Sequence, residues 1–399
     1  MTASNRARAT ATLVALVVLL AGGLAVRLAL LDVEGHYGDA VVMGRWADSM
    51  ATYGPGGFYG PDASIYPALL YLFWPIGVFL DGADQARAIK GLSIPFDLVI
   101  GVVVYVAARR LVGPTRALVA PAIYLFNPAV LLAGPVWGQI DAAGTLAYLF
   151  ALLALAAGRY WGAGAFTAIA MLIKPQFGLV ILPVATVAVI AWRARRDATV
   201  VGATVLGGLL TYLILTLPLG LDPISYVGRV IGAGSFKELA SANAANIWGL
   251  TVGYDQPDGA LLYVGAVLLL AGLVASLLPL RHRQDLPTIL AVGVFVAFAF
   301  YFLPTRVHER YLFPAMAVLA PLAAANWRVF AAYLLLTAGF AASLLYALVD
   351  TSPFSMSPSL DALVTAPVLR IWISLTMIGS AATLVLLLLR PPPRTTPPA

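Results

Sequence analysis

The sequence predicts an all-α polytopic membrane protein, with about twelve transmembrane helices and an in-plane or juxtamembrane helix pair in its first outer loop. Its composition points to a lipid solvent: of 399 residues, 61% are hydrophobic and 11% charged, and the mean hydropathy is +0.92. Apolar runs of about 18–22 residues recur from end to end, each long enough to cross a hydrocarbon core of about 30 Å as a helix. Those runs carry Gly and Pro freely, which membrane helices tolerate because neighbouring helices satisfy the freed backbone groups. A soluble globular protein is thereby excluded.

The first run, "ATATLVALVVLLAGGLAVRLALL", follows Arg6 and Arg8. It is longer than a signal-peptide core and lacks a small-residue cleavage site, so it reads as a retained helix over about 11–31. The stretch 32–90 is acidic, with Asp32, Glu34, Asp39, Asp48, Asp62, Asp81 and Asp84. Within it, 64–80 is apolar but short and broken by Pro67 and Pro75, so it is expected to lie in-plane or re-entrant. A span over 91–108 reaches the basic "ARRLVGPTR", and spans over 116–134 and 139–157 form the next hairpin. Spans over 161–174 and 177–192 end at "RARR". The span 199–219 leads to a second long outer loop, 220–258, and 259–279 returns to "RHR". Four more, at 287–304, 311–325, 329–349 and 367–389, finish at Arg390 and Arg394. Residues 1–390 thus read as one integral membrane domain, and 391–399 as a short disordered cytoplasmic tail.

With 64–80 kept out of the count, every strong basic cluster between spans falls on one side, as the positive-inside bias requires. Both termini are then cytoplasmic. The net charge of +6 is accounted for by topology and implies no nucleic-acid partner. The chain has no cysteine, which removes disulfides and thiolate chemistry.

Under this topology five separate polar segments meet at the outer face: 32–64, "VWGQID" (136–141), "IKPQF" (173–177), 220–258 and "TRVHERY" (305–311). Ionisable groups near a membrane are costly and mark substrate sites. If 39–50 is helical, Asp39, Met43 and Trp46 share one face, with Trp46 at the headgroup level. An acid at the N-terminal end of that helix is kept ionised by the helix dipole and poised as a base; the same position equally suits an N-cap. Asp48 reads as a solvent-facing bystander. Lys174, Arg306, His308 and Arg310 supply cations suited to a phosphate, or else a salt-bridge cluster that stiffens the loop. His308 and Tyr311 are i, i+3 neighbours able to meet one ligand, and Glu309 orients Arg306 or Arg310. His36 and His308 have no second ligand at metal spacing, and neither a metal nor another cofactor is expected.

The early Asp of a long acidic loop, followed by "IYPALLYLF", "FNPAVLLAGPVWGQIDA", "IKPQFGLVILP", "SANAANIWGL" and "RVHERYLFP", resembles the glycosyltransferase-C superfamily. Within it the chain resembles bacterial relatives of the second mannosyltransferase of GPI-anchor synthesis, and more distantly the dolichyl-phosphate-glucose glucosyltransferases. "YPAL" stands where relatives often show "YPPL". The resemblance implies a bacterial plasma-membrane enzyme that takes sugar from a polyprenyl-phosphate donor at the outer face, passing it to a glycolipid or glycan acceptor. It maps the catalytic base to Asp39 and donor-phosphate binding to His308. Tyr66 and Gln139, within the shared motifs, join the substrate-binding candidates.

The chemistry that follows is inverting. Asp39 takes the acceptor proton, and the departing polyprenyl phosphate is stabilised by Arg306, His308, Arg310 or Lys174. Asp141 is placed either to face an oxocarbenium-like centre or to cap its helix, and Asp97 to pair with a neighbouring helix. The rival class is a secondary transporter or flippase of a lipid-linked or anionic substrate. Against it stand the lack of paired sequence halves and the gathering of polar groups at one face instead of the midplane.

Overall fold

The computed structural model describes residues 3–60, 63–233 and 238–390; Asp62, Arg394 and the tail 391–399 lie outside the described residues. Among these the chain is helical throughout, with no strand beyond three isolated bridges. The first helix, α1 (Ala3–Leu30), is followed by α2 (Tyr37–Gly57), α3 (Pro67–Phe79), α4 (Gly82–Gly91) and α5 (Ser93–Val112). Next come α6 (Val119–Leu125), α7 (Pro128–Leu131), α8 (Asp141–Ala156), α9 (Tyr160–Ile173), α10 (Ile181–Arg195) and α11 (Thr199–Thr216). The second half holds α12 (Pro223–Ala233), α13 (Ile247–Thr251), α14 (Leu261–Leu277), α15 (Leu286–Phe302) and α16 (Phe313–Ala325). The chain closes with α17 (Trp327–Thr351), α18 (Pro358–Val364) and α19 (Pro367–Leu389).

Eight helical stretches among the described residues are long and apolar enough to cross a membrane: those around α1, α4–α5, α6–α7, α10, α11, α14, α17 and α19. The expected spans 139–157, 161–174, 287–304 and 311–325 correspond to α8, α9, α15 and α16, of 16, 14, 17 and 13 residues. These shorter helices sit among other helices: α16 is buried along nearly its whole length and touches α5, α6, α8, α15 and α17. A helix surrounded by protein need not match the bilayer thickness, because its ends are solvated by neighbouring loops.

The segment 64–80 forms α3, a 13-residue helix with Pro67 in its first turn, packed along α2. The two axes come so close that a Cβ on Gly77 would lie 2.1 Å from the Ala47 carbonyl oxygen. Met43 and Trp46 of α2 are buried, with Trp46 against Tyr66 and Phe73. Trp46 is therefore core, not an interfacial anchor; the neighbouring α3 supplies an apolar wall that competes with headgroups for the indole. Asp48 is also engaged, accepting a 2.6 Å bond from Gln85 of α4.

A buried ion pair joins the first helix to the rest. Arg27 Nε meets Asp97 Oδ2 at 3.0 Å, its Nη1 donates to the Leu125 carbonyl at 2.8 Å, and Tyr124 donates to Asp97 at 2.6 Å. Asp97 so pairs with two other helices, α1 and α6.

The basic segments gather at one end. Arg8, Arg109 and Thr115 line one cleft there; Leu111, His282, Arg283, Asn326 and Arg390 line another. From this end α5 and α15 lead to the opposite one, where 136–141 and 305–311 lie.

Candidate active site

Local backbone chemistry aims the side chains of "VWGQID". Residues Leu132–Val136 form a π-helical turn containing Pro135, and Gly138 follows at φ 93°, a conformation that a side chain would strain. The turn ends α7 and starts α8 at Asp141, so Trp137, Gln139 and Asp141 project from a break between helices. Lys174 occupies the analogous break before Pro175, where the residue preceding proline is extended (φ −153°, ψ 133°).

Asp39 lies in the first turn of α2. The helix cap is His36, whose Nδ1 accepts the Asp39 backbone N–H at 3.2 Å, so the Asp39 carboxylate is left for other partners. Its Oδ2 accepts from Trp137 Nε1 at 2.8 Å and Gln139 Nε2 at 2.6 Å; among the described residues none donates to Oδ1. Gln139 is itself fixed from behind, because Lys174 Nζ donates to its Oε1 at 2.8 Å and to Asp141 Oδ1 at 2.7 Å. Asp141 Oδ2 is buried and has no partner. His36 stacks on Trp137 with centroids 5.1 Å apart and planes 9° apart.

The loop 305–311 closes the other side. Arg310 Nη1 donates to Glu309 Oε1 at 2.5 Å, and its guanidinium lies 5.6 Å from the Trp137 ring centre. Its Nε is buried without a partner. His308 Nδ1 stands 3.7 Å from Glu309 Oε2, and the His308 and Tyr311 rings are 5.3 Å apart. Tyr66, at the start of α3, places its ring 5.9 Å from Lys174 Nζ.

The electrostatics follow. Burial would push the Asp39 carboxyl up, but Arg310, the Trp137 bond, His36 and Lys174 together hold it below its ordinary value. Burial likewise opposes Glu309, yet Arg310 and His308 bring it down to about 2. Both are carboxylates at neutral pH.

The structure thus brings Asp39, Tyr66, Gln139, Asp141, Lys174, His308, Glu309, Arg310 and Tyr311 into one cluster from five separate segments. Arg306 is placed differently. It adopts φ 63° and turns to Asp258, with Nε–Oδ2 at 2.7 Å and Nη2–Oδ1 at 3.3 Å, so its charge is spent outside the cluster. Lys174 is not a loose cation either: two of its three donors serve Gln139 and Asp141. Glu309 orients Arg310 and not Arg306. Asp141 begins α8 but spends its carboxylate on Lys174 instead of on the helix end.

Several participants were not evident from the sequence. Trp137 and His36 form the wall that carries Asp39. The loop "SANAANIWGL" is a buckle: Ala242 N–H donates to the Val307 carbonyl, and Asn246 caps α13 while its Nδ2 donates to the Tyr301 carbonyl. Trp248 donates to the Leu303 carbonyl at 2.8 Å, and Arg306 N–H to Leu239 O at 2.9 Å. These bonds fix the 301–308 backbone before the charged residues begin. Only repeated small and amide residues in an otherwise greasy loop hinted at such a clasp. Among the described residues no group of three His, Asp or Glu stands close enough to hold a metal ion.

Residues 66–221 match the family described as dolichyl-phosphate-mannose-protein mannosyltransferase. Among solved structures, ArnT from Cupriavidus metallidurans in the apo state superposes with a TM-score of 0.52 at 17% identity, covering 93% of this chain and 76% of that one. The chain has the glycosyltransferase-C fold. The archaeal oligosaccharyltransferase AglB from Archaeoglobus fulgidus is more distant, with a TM-score of 0.42 at 12% identity over 93% of this chain and 56% of that one. No curated protein matches the chain. The family match contains Tyr66, Gln139, Asp141 and Lys174, whereas Asp39 and the 305–311 loop lie beyond its ends.

Proposed function

We propose that the protein is an inverting glycosyltransferase that moves a hexose, mannose by the family match, from a polyprenyl-phosphate donor to a lipid-linked or cell-envelope glycan at the outer face of a bacterial plasma membrane. The observation that carries this reading is the Asp39 carboxylate, clamped through Oδ2, open at Oδ1 among the described residues, and held below its ordinary pKa by the half-buried Arg310.

In this mechanism the acceptor hydroxyl sits against Asp39 Oδ1. As its oxygen bonds to the anomeric carbon, its proton passes to Asp39 and the bond from that carbon to the phosphate oxygen breaks, inverting the configuration. The leaving phosphate gains a second negative charge and needs no proton. Arg310 Nε and His308 face that charge in a water-poor setting, where each donor is worth about 2–4 kcal/mol of transition-state stabilisation. Lys174 acts through Gln139, holding the amide so that its NH2 points at Asp39; an unaligned amide would present its oxygen to the carboxylate. Asp141 Oδ2, buried and unpaired, accepts a hydroxyl of the donor sugar.

The test is Asp39→Asn in the purified full chain supplied with polyprenyl-phosphate mannose and a membrane glycolipid extract. Asn keeps the volume and still accepts from Trp137 and Gln139, but cannot take the proton. Transfer is expected to fall by about 10²–10⁴-fold with donor affinity kept. Wild-type turnover by the Asn variant removes Asp39 from the base role.

A further inference from the structure

Behind the His36–Trp137 wall lies a second cavity of about 430 Å³, between the turn after α1 and the helix α4. It falls in the range of pockets that hold small ligands, about 300–1,000 Å³. We propose that it is a subsite for the sugar of the acceptor next to the one that reacts, which makes the acceptor an oligosaccharide of at least two units. This deepens the function proposed above and rests on it.

Three features of the cavity converge on a neutral, hydroxyl-rich ligand. Its inner wall is the His36–Trp137 stack, and Trp137 Nε1 simultaneously holds Asp39, so an occupant lies one ring away from the proposed base. Trp137 is 3% exposed, so the ring that an occupant meets is the half-buried His36, whose flat outer face suits the C–H face of a pyranose. Around it stand Glu34 and Asp84, both exposed, as acceptors for hydroxyl groups, and Arg87 as a donor, paired with Asp32 at 3.3 Å. The remaining cation, Lys90, is already committed to the Val33 carbonyl. The cavity thus carries three acids, Asp32, Glu34 and Asp84, against two cations, Arg87 and Lys90, and offers both acceptors and donors to hydroxyl groups.

The test uses octyl mannobioside and octyl mannoside as probes with the full chain in detergent. Binding is read by saturation-transfer NMR, and binding of polyprenyl phosphate is measured in parallel. The disaccharide should bind about tenfold more tightly than the monosaccharide, as expected for an extra hydrogen-bonded sugar. In Glu34→Gln/Asp84→Asn that advantage should vanish, with monosaccharide and polyprenyl-phosphate binding unchanged. Equal binding of the two probes by the wild type, or a disaccharide advantage that survives the double variant, overturns the subsite. Asp39→Asn should keep the advantage of disaccharide over monosaccharide, because both probes lose the same contact at position 39. If that variant instead retains transfer, the base assignment fails while the binding data stand on their own.

Discussion

Arg310 does three things at once: it neutralises Glu309, covers Trp137 and lowers the pKa of Asp39. The last can be isolated. With Arg310 present, Asp39 stays ionised until the pH falls below the ordinary carboxylate value, so the acid limb of turnover should lie there. In Arg310→Gln the burial that opposes ionisation is left less opposed, and the limb should move to higher pH in the pH dependence of kcat. A limb that stays in place dissociates Arg310 from Asp39. The Glu309–Arg310 pair has its own window: its contribution to stability is fully present above about 4.5, the unfolded value, and is lost as pH falls to about 2. Much of this was legible residue by residue, since an acid at a helix start and an i, i+3 His–Tyr pair are local signals. What was not legible depends on contacts across the chain. Trp137 sits in an apolar run and looks like any core indole. The Arg306–Asp258 pair spans 48 residues, and nothing local says which of several loop acids Arg306 will meet.

At the scale of elements, the position of Asp39 depends on how α2 seats on α3. Gly77 allows the contact, and no side-chain rotation can relieve a Cβ placed against the Ala47 backbone carbonyl. Gly77→Ala should therefore push the helices apart and lower kcat by at least about tenfold, since small misplacement of a reacting group costs rate steeply. Donor binding at 305–311 should be little changed. A variant with normal kcat shows that Asp39 is positioned by Trp137 and Gln139 alone. The helices themselves were read well from periodicity and punctuation, with proline and glycine marking the breaks at Pro67, Gly138 and Pro175. Their lengths were read less well. An apolar run gives no sign of where a helix starts and stops within it, so α8, α15 and α16 are shorter, at 16, 17 and 13 residues, than the runs that predicted them.

For the whole molecule, the sorting of basic loops to one end and the cluster to the other predicts which positions face the cytoplasm. The chain lacks cysteine, so single thiols can be introduced without background. Ala83→Cys and Gln256→Cys, both exposed, should react with an impermeant reagent added to intact cells. Thr115→Cys and Ala194→Cys, also exposed, should react only after the membrane is opened. Labelling of the latter pair in intact cells reverses the assigned orientation. The ion pair between Arg27 and Asp97 adds a dimension of time. Arg27 is made early, yet its partners Asp97, Tyr124 and the Leu125 carbonyl lie 70 to 98 residues further on. Arg27 stands in the last turn of α1, where facing lipid costs less than the about 2.5–3.5 kcal/mol of a helix centre, and until those partners are synthesised none of them offsets that cost. The first helix should therefore wait at the insertion machinery and enter the bilayer together with α5 and α6. In Asp97→Asn, of those partners only the Leu125 carbonyl still receives Arg27, so the wait should lengthen, and nascent chains should crosslink to the translocon well after residue 125 has emerged, where the wild type has already let go.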